Sequence, residues 1–154
     1  MDLIISLIEK IKRRNLTIAV AESCTGGKVA STIVSNEGVS NIFLGGVVTY
    51  SDNSKVEILK IDKNKIQNYG AVSSEIAKDM CIGVKKLFNS DISISTTGNV
   101  GPTLGDKSSS LGKVFIAINF NNKVIVEEYN FDDDRNANIS NAVFHAFSLL
   151  NNIL

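Results

Sequence analysis

Small polar side chains and two glycines stand directly behind an apolar, β-branched run near the N-terminus. The run at residues 16–20 is typical of a buried strand, and residues 28–34 carry apolar side chains at helical spacing. The segment Ala21-Glu22-Ser23-Cys24-Thr25-Gly26-Gly27 is therefore predicted at a helix N-terminus, where unpaired backbone N–H groups gather. A serine hydroxyl there can attack a carbonyl carbon, and the N–H groups can receive the oxyanion that develops.

Two adjacent residues compete for the role of nucleophile. A Cys24 thiolate at a helix N-terminus would be a better nucleophile than the Ser23 alcohol, but no histidine lies near either residue in the sequence. The single histidine, His145, falls in the last predicted helix, beside its apolar stripe. We interpret Cys24 as a small packing residue, and from the residues alone an ordinary helix N-cap is a better explanation of Ser23 than a nucleophile.

Hydrophobic periodicity predicts the elements that would position this segment. Strands interleave with helices, and two further strands flank Asn121-Asn122, which favours a hairpin turn. This order predicts a three-layer α/β/α sandwich with a mixed, mostly parallel β-sheet. The predicted helices are residues 2–11, 27–35, 56–59, 73–88 and 139–150, and the predicted strands are residues 16–20, 43–50, 92–96, 114–118 and 124–129.

Length and composition limit the classes of partner. With 154 residues we expect a single domain over residues 1–154, and 16 basic against 16 acidic residues give a formal net charge of zero. Nothing global therefore points to nucleic acid or to a membrane surface, and the apolar N-terminal segment carries charges before it reaches the length of a membrane span. Two cysteines, Cys24 and Cys81, are typical of reduced thiols, so we expect a cytoplasmic protein.

Several short motifs follow one another along the chain: Ala21-Glu22-Ser23-Cys24-Thr25-Gly26-Gly27, Val48-Thr49-Tyr50-Ser51, Gly70-Ala71-Val72-Ser73, Thr97-Gly98 with Gly101-Pro102, Gly112-Lys113-Val114, and Asp134-Arg135. Together, in this order, they resemble the CinA C-terminal domain family. The resemblance covers most of the sequence and implies an α/β/α sandwich that acts as a nicotinamide mononucleotide deamidase and assembles as a homo-oligomer, commonly a dimer. The longer members of that family carry a further N-terminal domain, for which we expect no room in this length.

The resemblance also implies a role for each site residue. Ser23 would be the nucleophile and Lys55 its base, which requires burial or a neighbouring positive charge to lower the pKa of that lysine. Tyr50 would either orient this pair or be a core tyrosine, and Thr97 would assist the oxyanion. Arg135 would bind the substrate phosphate or form an ion pair that closes the site. The remaining residues that we expect at the substrate are Thr25, Gly26, Gly27 and Gly98. We expect no cofactor and no metal, since three consecutive aspartates at 132–134 are more typical of a solvated turn.

One loop departs from the family pattern, which keeps two alternatives open. Where the family has Ser-Gly-Ile-Ala-Gly-Pro before a glycine-rich tract, this chain has Thr97-Gly98-Asn99-Val100-Gly101-Pro102-Thr103. A changed loop would be compatible with an amidase for another small carboxamide. It would equally suit a catalytically inactive nucleotide-binding or interaction module that keeps the fold.

Overall fold

Residues 2–154, which the computed structural model describes, form six α-helices and five β-strands. None of these helices combines the length and the apolar character that crossing a bilayer requires. The elements in chain order are α1 (Asp2–Arg13), β1 (Ile18–Glu22), α2 (Lys28–Val34), β2 (Phe43–Val48), α3 (Asp52–Leu59), α4 (Lys63–Tyr69), α5 (Ser74–Phe88), β3 (Ile92–Gly98), β4 (Lys113–Phe120), β5 (Lys123–Asn130) and α6 (Arg135–Ile153).

The five strands form one mixed sheet in the order β2-β1-β3-β4-β5. Strand β1 pairs in parallel with both β2 and β3, whereas β4 pairs antiparallel with β3 and with β5. Four strands therefore point the same way and β4 alone is reversed, which confirms the predicted mixed, mostly parallel sheet. The carboxyl ends of β2, β1 and β3 meet at one edge, which is where α/β sheets place their ligand sites.

Side-chain alternation along β1 divides the interior into two layers. Ile18 and Val20 face a core shared with α1, α2 and α6, whereas Ala19 and Ala21 face a second core that contains Ile76 and other side chains from α3, α4 and α5. Because a strand alternates its faces, Glu22 continues the first face and Ser23 the second. These two neighbours therefore leave the strand toward opposite layers.

Three helices differ from the sequence prediction, and one of them, α3, begins at Asp52 rather than at residue 56. Helix α4 was not predicted; its cap, Asp62, accepts a hydrogen bond from the Asn64 N–H at 2.9 Å, but Ile66 is its one buried residue, so no apolar stripe marks it. Helix α6 begins at Arg135 rather than at residue 139, since Asp134 caps it by accepting from the Ala137 N–H at 2.9 Å. The acidic run thus contributes a helix cap as well as a turn.

Candidate active site

A cavity of about 480 Å³ opens at the carboxyl edge of the sheet. We call it the carboxyl-edge cavity; its size lies in the range of small-molecule sites, about 300–1,000 Å³. The segments that line it are the turn after β1, the start of α3, the end of α4, the 70–72 segment, the end of β3 and the loop after it. Of the predicted site residues, it brings together Ser23, Lys55, Tyr50, Thr97 and Gly98.

The Lys55 amine is the centre of this site. Its Nζ lies 3.0 Å from the Ser23 Oγ and donates to the Thr49 carbonyl at 2.7 Å and, more weakly, to the Tyr50 carbonyl at 3.4 Å. The side chain is 1% exposed. Because carbonyl oxygens can only accept, two N–H groups are committed to them, and the remaining position of the nitrogen faces Ser23.

The protonation of Lys55 decides what faces Ser23. Burial lowers the pKa of Lys55 from its ordinary value of 10.5, and the negative charge of Asp52 opposes part of that shift. In the neutral amine the position toward Ser23 is a lone pair, which can accept the hydroxyl proton. A lysine that acts as a base needs a lowered pKa, and burial supplies that shift for Lys55.

The strand ends position both partners. The Thr49 N–H donates to the Glu22 carbonyl at 2.8 Å, so the segment after β2 is held against the end of β1, where Ser23 follows. Ser51 then caps α3 by accepting from the Ser54 N–H at 3.1 Å, as its position after the strand predicts. The capped first turn brings Lys55 back toward the strand ends.

Cys24 has a different environment from Ser23. Its thiol is 5% exposed and belongs to the core on the α1, α2 and α6 side of the sheet. Burial raises the pKa of the Cys24 thiol to about 12, so it carries almost no thiolate at neutral pH. The residue also lines the cavity, and its backbone N–H makes no hydrogen bond within residues 2–154. That N–H group is therefore not committed to another group of the described residues.

Thr97 and Gly98 form the end of β3 rather than the start of a loop. The Thr97 hydroxyl is 1% exposed and donates to the Ala71 carbonyl at 2.7 Å, so its proton is already engaged. A Cβ on Gly98 would lie 2.6 Å from the Val114 side chain, which explains the glycine by packing against β4. Thr97 therefore needs to break one bond before it can donate to an oxyanion.

The structure places Thr25, Gly26 and Gly27 outside the cavity lining. The Thr25 side chain is 2% exposed, and its hydroxyl lies 2.5 Å from the Glu22 carboxylate. The same carboxylate accepts from the Gly27 N–H at 3.1 Å. The expectation that donors at the start of α2 face the substrate is therefore corrected, because a side chain of the same motif already satisfies them.

Arg135 also lies outside the lining but touches it through Tyr50. Its guanidinium donates to the Gly101 carbonyl and to the Tyr50 hydroxyl, the latter at 3.2 Å. The Tyr50 side chain is exposed and lines the cavity. Its contact with Lys55 is made by the backbone carbonyl and not by the hydroxyl. Arg135 thus reaches the cavity through Tyr50 and makes no hydrogen bond to Ser23 or Lys55.

Sequence reasoning missed the residues that organise the loop after β3. Asn99 is 3% exposed; its amide donates to the Asp106 carbonyl at 2.8 Å and accepts from the Asp106 N–H at 3.0 Å. The Asp106 carboxylate in turn accepts from the Val72 N–H at 2.8 Å and from the Ser108 hydroxyl. Burial raises the pKa of Asp106, but hydrogen bonds from Ser108 and Val72 outweigh it and hold the pKa below its ordinary value. An Asp two residues before a Ser, which favours a local turn, was the available signal.

A family model described as the CinA C-terminal domain matches residues 2–154. The chain belongs to the CinA C-terminal domain family. A CinA-like protein of Flavobacterium psychrophilum is 42% identical over 140 residues, which cover 91% of this chain and 34% of that protein. A CinA-like protein of Petrotoga mobilis is 39% identical over 143 residues, covering 93% and 36%. The chain thus spans about a third of the length of the curated relatives it matches.

Solved structures of CinA superfamily proteins share the fold over nearly the whole chain. A competence-damaged protein (CinA) superfamily protein from Escherichia coli superimposes with a TM-score of 0.96 at 30% identity, covering 99% of this chain and 89% of that one. The competence/damage inducible protein CihA from Agrobacterium tumefaciens gives a TM-score of 0.92 at 28% identity, covering 97% and 92%. The predicted family and fold class are both confirmed.

Proposed function

We propose that this CinA-family domain is an amidohydrolase that converts nicotinamide mononucleotide to nicotinic acid mononucleotide and ammonia. One observation carries the hydrolase chemistry: a buried lysine amine with a lowered pKa lies 3.0 Å from a serine hydroxyl inside a cavity. A nucleophile within hydrogen-bond reach of a base is the arrangement that covalent catalysis requires.

In the acylation half-reaction, the Ser23 Oγ attacks the carboxamide carbon while its proton passes to the neutral Lys55 Nζ. The oxygen of the tetrahedral intermediate accepts a hydrogen bond from the Cys24 N–H, since the residue after a nucleophile commonly supplies this donor. The Lys55 ammonium then protonates the nitrogen, the C–N bond breaks, and ammonia leaves. An acyl ester on Ser23 remains.

In the deacylation half-reaction, water attacks the ester carbon and gives its proton to Lys55. The second tetrahedral intermediate collapses by breaking the bond to the Ser23 Oγ, which takes a proton back from Lys55. The carboxylic acid product leaves, and both residues return to their starting states. One water molecule is consumed for each ammonia released, so the reaction balances without a further reactant.

The mononucleotide is favoured as substrate by the family resemblance and by two cationic side chains at the cavity. Lys107 lines the cavity, and the Arg135 guanidinium contacts the hydroxyl of Tyr50, which also lines it. Cationic side chains suit a phosphate. We further propose that the domain works in the cytoplasm as a homodimer, which light scattering of the purified chain would test.

The direct test measures products from three related carboxamides. Purified protein is incubated with nicotinamide mononucleotide, nicotinamide riboside or nicotinamide, and both ammonia and the carboxylic acid are quantified. We expect the mononucleotide to be the best substrate. Release from another carboxamide alone would favour the amidase alternative, and mononucleotide binding without ammonia from folded protein would favour the inactive binding module.

A further inference from the structure

Glu22 is an unusual residue for the interior of this fold. Its side chain is 1% exposed, and among residues 3–154 it is the one buried carboxylate. No Lys, Arg or His side chain within those residues forms an ion pair with it. Burying a charge without a counter-ion is costly unless hydrogen bonds replace the lost water. The buried Glu22 carboxylate must therefore be stabilised by hydrogen bonds.

Four donors surround the Glu22 carboxylate. Its Oε2 accepts from the Thr25 hydroxyl at 2.5 Å, the Gly27 N–H at 3.1 Å and the Val29 N–H at 3.0 Å, and its Oε1 accepts from the Ala30 N–H at 2.8 Å. All four donors follow Glu22 by three to eight positions. The side chain therefore closes the turn between β1 and α2 on itself.

The residues inside that closed turn include the nucleophile. The Ser23 N–H donates to the Thr96 carbonyl at 3.0 Å, and the Thr25 and Thr96 hydroxyls are 2.7 Å apart. Thr25 is thus held by Glu22 on one side and by β3 on the other. Ser23 and Cys24 lie between these fixed points, which leaves the direction of the Ser23 Oγ and the Cys24 N–H little freedom.

We propose that Glu22 is the positioning residue of the site: its buried carboxylate fixes the turn so that the Ser23 hydroxyl faces Lys55 and the Cys24 N–H faces the cavity. The amide substrate in this inference rests on the proposed function, but the orientation of Ser23 does not. Glu22 makes no hydrogen bond to Lys55 and does not itself line the cavity, so its carboxylate acts through the turn that carries Ser23.

Two substitutions of Glu22 distinguish the effect of its charged acceptor from the effect of its side-chain size. Glu22→Gln keeps the shape but turns an N–H₂ group toward donors, and Glu22→Ala removes the acceptor and leaves room for a small carboxylate. Displacement of a reacting group by about 1 Å costs on the order of 10²-fold in rate. We therefore expect kcat of both variants to fall by about that factor, with little change in KM. Acetate or formate should restore part of the activity of Glu22→Ala in a saturable way, and should leave the wild-type protein and Glu22→Gln unchanged.

A second readout does not depend on the natural substrate. A small fluorophosphonate phosphonylates serine nucleophiles: the Ser23 Oγ bonds to phosphorus, the P–F bond breaks and fluoride leaves, and the hydroxyl proton passes to Lys55. The rate is followed by intact mass. The matched control is Asp91→Ala, which loses carboxylate bonds to the Thr17 N–H and hydroxyl, 2.8 and 2.9 Å, at the opposite end of β1.

Each result has one meaning. Slower labelling of Glu22→Gln and Glu22→Ala than of Asp91→Ala, at equal helical content, supports the positioning role, as does acetate rescue. Folded Glu22→Gln that is labelled and turns over at the wild-type rate overturns it. Wild-type protein labelled at Ser23 but inactive on nicotinamide mononucleotide overturns only the proposed function. Wild-type protein that is not labelled contradicts both.

Discussion

The Lys55 amine lies 3.0 Å from the Ser23 hydroxyl, although the two residues are 32 positions apart in the chain. They follow adjacent parallel strands, β1 and β2, whose carboxyl ends meet at the same edge of the sheet. The proposed catalytic pair therefore results from the topology: each residue comes from its own strand-to-helix junction. The remaining acceptors around Lys55 are backbone carbonyls, which cannot compete for its lone pair.

The pH dependence of activity should follow Lys55. Only the neutral amine can accept the Ser23 proton, so kcat/KM should rise with pH through the lowered pKa of Lys55. Asp52 raises that pKa by its negative charge, so Asp52→Asn should move the rising limb to lower pH. Asp91→Asn, at the other end of the sheet, should leave the limb in place. A shift to higher pH in Asp52→Asn would contradict the assignment.

The same buried amine should make stability depend on pH. Because the pKa of Lys55 is lower in the folded protein than in the unfolded chain, the unfolded state binds more protons between the lowered value and about 10.5. The free energy of unfolding of the wild-type protein, relative to Lys55→Met, should therefore increase as pH rises through that window. Urea unfolding of both proteins between about pH 7 and 10 measures the difference. A decrease with rising pH would refute a depressed pKa.

Arg135 should act on the phosphate end of the substrate. Loss of one charge-assisted hydrogen bond is worth about 1.5–3 kcal/mol, so Arg135→Gln should raise KM for nicotinamide mononucleotide by about 10- to 100-fold. Nicotinamide riboside, which lacks the phosphate, should show no comparable loss. Arg14→Gln, far along the chain and bonded to the Leu154 carbonyl, is the control. Equal losses for both substrates would show that Arg135 serves the fold and not the phosphate.

Asn99 should hold the wall of the cavity together. Asn99→Ala leaves the Asp106 N–H and carbonyl without their partners, which costs about 1–3 kcal/mol of unfolding free energy. Since Gly105, Asp106 and Lys107 line the cavity, KM should rise as well. Asn141→Ala removes one exposed contact with Asp133 and should change neither quantity. Unchanged stability and KM in Asn99→Ala would show that the loop is held by other contacts.

Local patterns predicted most of the fold. The helical periodicity of α5 and the turn at Asn121-Asn122, where both residues have positive φ, are encoded in short stretches of sequence. Helix α4 was not predicted because only its end residues, Asp62 and Gly70, and one buried side chain, Ile66, mark it in the sequence. Strand order could not be derived, since it depends on contacts between distant segments.

The site was less accessible to sequence reasoning than the fold. Lys55 alone is typical of a solvated helix residue, and only the family resemblance singled it out; its burial results from packing between strand ends. The motif includes Glu22, but the sequence does not show which groups bond to its carboxylate. Its donors lie three to eight residues later and come into reach only after the turn forms. For the same reason the N–H groups at the start of α2 were assigned to a ligand rather than to Glu22.

The nucleophile itself gives the most direct test. Ammonia release from nicotinamide mononucleotide should be compared among the wild-type protein, Ser23→Ala and Cys24→Ala under identical conditions. The account predicts that Ser23→Ala releases no ammonia above background. Cys24→Ala should retain most of the activity, because the thiol that it removes has a pKa of about 12. Turnover that survives in Ser23→Ala and disappears in Cys24→Ala would contradict it.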